Sequence, residues 1–148
     1  MITIGIYGLA SQSGHAYFAD LLSRGYRVVG YNRPSSHGQE VIRTISSSEG
    51  IYLERPENKN HEESHFVPLG ESIVTSDVRQ LVDKADIIII SLPSTYHEGA
   101  VQEMCKAGLD NKAAPIVLSP SRSVAAPYMW RIVGGRYPIS CLSTCPYS

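Results

Sequence analysis

The sequence predicts an α/β fold, a doubly wound, mostly parallel sheet with helices on both faces. Three observations carry this expectation. Residues 2–7 are a short apolar run that enters the small-residue loop Gly8-Leu9-Ala10-Ser11-Gln12-Ser13-Gly14, and a run with helical apolar spacing follows at once. Ile87-Ile88-Ile89-Ile90 is a continuous apolar run of strand length, the pattern of a strand covered on both faces. Short apolar runs then alternate with amphipathic ones to the end of the chain, which implies parallel strands joined by right-handed helical crossovers.

The elements follow in order. From residue 13 or 14 to Arg24, the side chains Ala16, Phe18, Ala19, Leu21 and Leu22 recur at helical spacing, and Gly25 supplies a stop. Residues 26–31 read as the second strand. A turn at Pro34-Ser35-Ser36 leads into a short helix at 38–44, then a brief strand at 51–53. Residues 54–64 are the most polar stretch and predict a solvated loop or hairpin excursion. A strand at 72–75 follows, with Asp77 as the cap of a helix reaching residue 84. After the isoleucine strand at 86–92, Thr95 is the expected cap of a helix to residue 107, with Gly108 as its exit. Residues 115–118 are another buried strand, Ser121 or Ser123 caps a helix toward Ile132, and residues 138–142 form the last strand.

Composition narrows the function classes. A chain of 148 residues is about one domain, and 43% hydrophobic with 18% charged residues excludes a disordered segment. A net charge of -1 without a basic cluster argues against a nucleic-acid partner. No apolar run has bilayer length, so no membrane partner is expected. Cys105, Cys141 and Cys145 are an odd set without metal-knuckle spacing, which favours a reducing, cytoplasmic location.

The loop after the first strand is the strongest chemical signal. A glycine-rich turn against the amino end of a helix presents unpaired N–H groups and the positive end of the helix dipole, which together suit a pyrophosphate. The loop spacing is one residue longer than the common G-x-G-x-x-G pattern, but a strand precedes it and a helix follows, as in a Rossmann-like unit. The candidate cofactor residues here are Gly8, Leu9, Ala10, Ser11, Ser13 and Gly14, with the two serines as hydroxyl donors. The second strand ends in Asn32-Arg33 in place of the acidic residue that would receive both ribose hydroxyls of NAD. Asn32 suits one ribose hydroxyl, and the fork of Arg33 suits a 2′-phosphate and the adenine, with Ser35 in the turn beyond. The expected cofactor is NADP, with NAD as the alternative.

Other motifs carry less. His61-Glu62-Glu63-Ser64-His65 matches the H-E-x-x-H zinc pattern in letters. The residues before it offer no apolar helical face and no third ligand is placed, so it reads as a hydrated surface excursion and no metal is expected. Cys141 and Cys145 each read as a core residue rather than a nucleophile, and no P-loop lysine follows the glycine turn. Ligands of open α/β sheets bind outside the carboxyl ends of the strands, which here are Ser91-Leu92-Pro93-Ser94, Leu118-Ser119-Pro120-Ser121-Arg122 and Ser143-Thr144-Cys145-Pro146-Tyr147. Leu92, Pro93 and Pro120 join the candidate cofactor residues, and His97, Arg122 and Thr144 are candidates to face a substrate.

The glycine loop together with these three strand-end segments resembles the amino-terminal domain of the opine dehydrogenases, in particular the opine-metallophore branch. The resemblance spans nearly the whole chain. It implies reductive condensation of an amino acid with a 2-oxo acid, using NADH or NADPH, with those small molecules as partners. It also implies a separate helical carboxyl-terminal domain that carries the catalytic histidine–aspartate pair. The 148 residues contain no such domain, so the chain is expected to bind cofactor without turnover, and its catalytic residues are unknown. The β-hydroxyacid dehydrogenases share the first-domain logic, including an Asn-Arg end to the second strand, and are the alternative enzyme reading. A non-catalytic NAD(P)-sensing module is the alternative from another class. Apolar residues around the last strand, Ile139, Leu142 and Tyr147, would be uncovered without a partner domain and predict homo-oligomerisation.

Overall fold

The computed structural model describes residues 1–53, 65–121, 125–144 and 146. Its elements are β1 (Thr3–Tyr7), α1 (Gln12–Ser23), β2 (Arg27–Tyr31), α2 (Ser36–Ser48), β3 (Gly50–Leu53), β4 (His65–Pro68), β5 (Ile73–Thr75) and α3 (Val78–Lys84). They continue with β6 (Ile87–Ile90), a 3-10 turn (Ser94–Tyr96), α4 (His97–Lys106), α5 (Leu109–Lys112), β7 (Ile116–Leu118), α6 (Ala125–Ile132) and β8 (Ile139–Cys141). The strands β5-β2-β1-β6-β7-β8 form one sheet in that order, and each neighbouring pair is parallel. Strands β3 and β4 pair antiparallel in a separate ribbon.

Two apolar layers cover the sheet. Alternation along β1 sends Ile6 to one face and Tyr7 to the other. Ile6, Leu9, Phe18, Leu22, Val28 and Ile45 pack in the layer built with α1 and α2. Tyr7, Tyr31, Leu81, Ile88, Met104 and Leu118 pack in the layer built with α3 and α4. Parallel strands with helices on both faces make this a doubly wound, Rossmann-like fold, as the sequence predicts. Strand order reverses between β1 and β6, so the chain leaves these two neighbours in opposite directions and opens a crevice at their carboxyl ends.

Local chemistry sets the helix ends. Ser11 caps α1 by accepting from the Gly14 N–H at 2.9 Å, and Gly25 turns the chain away from it at φ 81°. Asp77 caps α3 by accepting from the Arg79 N–H at 2.9 Å. Helix α2 is longer than the sequence pattern indicates, because Ser35 caps it two residues earlier through the Gly38 N–H and Ile45 anchors its far half in the core. Thr95 does not cap α4: it lies inside the 3-10 turn, and α4 starts after Tyr96 without a side-chain cap. Strand β4 and the single turn α5 are elements the pattern did not signal. In β4 only Val67 is buried, too little alternation to mark a strand. The expected excursion at 54–64 and the candidate cap Ser123 lie outside the described residues.

Helix α3 approaches β1 closely because position 5 carries no side chain. A Cβ on Gly5 would lie 2.7 Å from Leu81 Cδ1 and 2.8 Å from the Ala85 Cβ. Gly5→Val is therefore expected to push α3 outward and lower stability by about 1–3 kcal/mol. A urea midpoint unchanged from the parent protein would show that this packing is looser than described.

Candidate functional site

The crevice between β1 and β6 is braced by the loops that leave their carboxyl ends. The N–H groups of Gly8 and Leu9 both donate to the Tyr31 carbonyl at 2.9 Å, and the Ala10 N–H donates to Asn32 Oδ1 at 3.0 Å. Ser91, the residue after β6, is fully buried and donates its N–H to the Tyr7 carbonyl at 2.9 Å. Its own carbonyl faces the Ser11 hydroxyl at 2.8 Å, and its hydroxyl pairs with that of Ser13 at 2.7 Å. Gly8 stands at φ 105°, and a Cβ there would meet the Ser91 carbonyl oxygen at 2.7 Å. Both loops are thus tied to each other and to the strand ends.

This bracing uses most of the polar groups the sequence offered to a ligand. The Ser11 hydroxyl accepts from Gly14 and shares its proton between the Gly8 and Ser91 carbonyls. Asn32 accepts from Ala10 and donates from Nδ2 to the Arg33 carbonyl at 3.1 Å. Leu9 is fully buried, so only its backbone adjoins the loop. Among the described residues, nothing accepts from the N–H groups of Gln12 and Ser13, the first two of α1, and the first turn holds no acidic residue. Those two donors and the helix dipole form an anion cradle. Gln12 and Ser91 were not among the sequence candidates; the position of the helix start, one residue earlier than the apolar spacing indicates, is the signal that identifies Gln12. A nucleotide pyrophosphate fits this cradle because a Cβ on Gly14 would stand 2.0 Å from the Gly8 carbonyl oxygen, leaving the helix end hard against the strand end.

Past β2, the Ser35 hydroxyl is taken by the cap of α2, whose first turn also lacks an acidic residue. Arg33 is half exposed, and its guanidinium is held from one edge. Its Nε donates to Glu103 Oε2 at 2.8 Å and to the Tyr7 hydroxyl at 2.9 Å, and the guanidinium carbon lies 6.0 Å from the Tyr7 ring centroid. The Tyr7 hydroxyl also donates to Glu103 Oε2, and the Tyr31 hydroxyl donates to Glu103 Oε1 at 2.7 Å. Burial opposes ionisation of Glu103, but the bonds from Tyr7, Tyr31 and Arg33 outweigh it and hold the carboxyl below its usual range. Burial, then the Glu103 carboxylate, pushes both tyrosines above theirs. Glu103 is invisible to local sequence reasoning, since only the fold brings α4 over the ends of β1 and β2.

The substrate-facing candidates separate. His97 is fully buried at the start of α4, where its Nε2–H donates to the Leu92 carbonyl at 2.7 Å and its Nδ1 has no partner among the described residues. It pins the loop after β6 and does not line the crevice. Pro93 is exposed on that loop, with Leu92 half-buried beside it. Pro120 follows Ser119, whose hydroxyl pairs with that of Tyr17 at 2.7 Å and so links α1 to the end of β7. Thr144 is exposed beyond β8, while Arg122 lies outside the described residues. His65 is exposed in β4, and the rest of the H-E-x-x-H stretch lies outside the described residues. Cys105 and Cys141 are half-buried free thiols, and Cys145 lies outside the described residues. Among the described residues, no helix is long and apolar enough to cross a membrane.

No protein-family model and no curated protein matches the chain. Solved structures match its fold. Octopine dehydrogenase with NADH and agmatine superposes with a TM-score of 0.69 at 20% identity, over 92% of this chain and 32% of that one. Yersinopine dehydrogenase with NADP+ gives 0.73 at 17% identity, over 94% and 34%. An imine reductase from Myxococcus stipitatus with NADP+ gives 0.60 at 16% identity, over 93% and 39%. At these identities the likeness is one of fold, and this chain spans about a third of the length of the two dehydrogenases.

Burial holds His97 below its ordinary pKa, against the smaller opposing effect of its bond to Leu92. The unfolded chain therefore binds a proton near pH 6.5 that the folded chain refuses, and stability is lost as pH falls below about 6.5. His97→Gln removes that proton uptake. Its urea midpoint is expected to fall less than the parent's between about pH 7.5 and 5.5; parallel falls would assign the pH dependence to other groups.

Proposed function

We propose that residues 1–148 are the NADP(H)-binding domain of a dehydrogenase that reductively condenses an amino acid with a 2-oxo acid. The observation that carries the cofactor assignment is the pair of unpaired α1 N–H groups beside a β2 end that bears a fixed arginine and no carboxylate. Octopine and yersinopine dehydrogenases share the fold, and their structures hold NADH and NADP+ respectively, which supports a dinucleotide in this crevice. Gln12 and Ser13 would receive the pyrophosphate through their N–H groups, with Gly8 and Gly14 keeping the approach open. Arg33 would receive the 2′-phosphate through its Nη edge, close in the chain to the amino end of α2. Pro93 and Pro120 would border the nicotinamide end of the crevice.

The cofactor, when bound, supplies a hydride for reduction of the carbon–nitrogen double bond made from amine and oxo acid. The residues of this chain hold it and brace the loops around it. His97, the imidazole nearest the later strand ends in sequence, is buried and committed to Leu92, so this reading assigns it no proton transfer. The β-hydroxyacid dehydrogenase reading shares the same cofactor crevice and differs in substrate.

Calorimetric titration with NADPH and NADH tests the cofactor reading. Arg33→Ala is expected to weaken NADPH by roughly 10–100-fold, the loss of one charge-assisted contact set, and to leave NADH nearly unchanged. Equal affinities that ignore this substitution would sink the NADP assignment. With the complete protein, NADPH consumption should require both an amino acid and a 2-oxo acid. Consumption with the oxo acid alone would favour the hydroxyacid reading.

A further inference from the structure

We propose that Glu103 is a positioning residue that sets preference for NADP(H) over NAD(H) by orienting Arg33. The proposal rests on the cofactor reading above and deepens it. Glu103 belongs to α4, which follows β6, yet its carboxylate gathers groups from the ends of β1 and β2. It accepts from Tyr7 and Arg33 on Oε2 and from Tyr31 on Oε1, so both oxygens are engaged. Tyr7 and Tyr31 are each 1% exposed, and their rings pack tilted with centroids 4.8 Å apart. The acceptor that holds Arg33 is thus itself fixed by two immobile donors.

The geometry divides the guanidinium into two edges. Its Nε points at Glu103 and Tyr7, and the Nη groups carry no bond among the described residues. Nη2 faces position 99 of α4, where a Cβ would stand 3.7 Å away and glycine adds no side chain. An arginine at a turn ordinarily surrenders much rotamer freedom when it grips a phosphate. Here the ordering has been done by the fold before any ligand arrives. A bare ribose hydroxyl draws little from a fixed fork, whereas a 2′-phosphate accepts from two of its N–H groups at once. Anchoring Arg33 therefore favours NADP(H) selectively, with Glu103 acting through Arg33.

Reach and charge can be separated. Glu103→Gln keeps a carbonyl oxygen at the same distance along the side chain, while Glu103→Asp keeps the charge and withdraws it by one methylene. If orientation is what matters, the ratio of NADH to NADPH dissociation constants should fall about fivefold in Glu103→Asp and Glu103→Ala and hold in Glu103→Gln. In an Arg33→Ala background, Glu103→Ala should change the ratio no further. Each ratio comes from one folded sample measured by calorimetry with both nucleotides, so a general loss of stability cancels. If Glu103→Ala does not fold, the Asp and Gln variants alone decide. A parent protein without NADPH preference, or with a preference that survives Arg33→Ala, overturns the cofactor reading and this proposal together. A preference that depends on Arg33 but survives Glu103→Asp and Glu103→Ala, or equal weakening of both nucleotides, overturns this proposal alone and leaves the network a purely structural one.

Discussion

The contact between the Gly8 carbonyl and Gly14 decides where every other group of the crevice sits. With a Cβ on Gly14 only 2.0 Å from that oxygen, the backbone of α1 begins directly against the end of β1. Such closeness places the Ser11 hydroxyl where it can serve the Gly14 N–H and reach the Ser91 carbonyl as well. Ser91 is held to β1 through the Tyr7 carbonyl, so the two strands flanking the reversal of strand order are tied together at their carboxyl ends. Separating helix from strand would release this cross-tie and the unpaired donors of Gln12 and Ser13 at the same time. Small residues at positions 8 and 14 are therefore a condition of the fold here as much as of ligand approach.

The same crowding explains why side-chain hydroxyls and amides serve the backbone rather than a ligand. Loops pressed between strand ends carry N–H and C=O groups that water reaches poorly, and each needs a partner. Ser11, Asn32 and Ser35 supply partners to Gly14, Ala10 and Gly38, and the buried His97 does so for Leu92. What stays unpaired among the described residues is the first two N–H groups of α1 and the Nη edge of Arg33. The crevice is thus left with backbone donors and one cation, and with few side-chain hydroxyls to spare.

The strand–loop–helix–strand unit was legible because apolar periodicity and glycine placement are local signals. They locate β1, α1, β2, β6 and β7 within a residue or two. Thr95 misled because a threonine ahead of a helical pattern looks like a cap, whereas the chain spends residues 94–96 on a 3-10 turn. His97 misled for a related reason: its position after Pro93 placed it near the crevice, but periodicity could not say that α4 begins with its imidazole turned into the core. Tyr7 and Tyr31 read from sequence as strand ends and nothing more. Their meaning depends on Glu103, 96 residues from Tyr7 and 72 from Tyr31, and no local pattern reports such a meeting.

That long-range meeting changes what the Asn32-Arg33 end of β2 signifies. From sequence, Arg33 is a free cation waiting for a phosphate. In the fold it is half of a partly exposed ion pair, with side chains 52% and 29% accessible, and pairs of that exposure add little stability of their own. Coulomb attraction between the two charges is thus a weak reason for the network to exist. The two buried tyrosine hydroxyls supply a stronger one, since without the carboxylate Tyr31 would lose its partner among the described residues and Tyr7, which accepts from Arg33, would lose its acceptor. Their need fixes Glu103, Glu103 fixes Nε of Arg33, and the free edge of the guanidinium inherits its direction from packing in the core. The orientation of a surface cation is in this way drawn from hydrogen-bond demands beneath it.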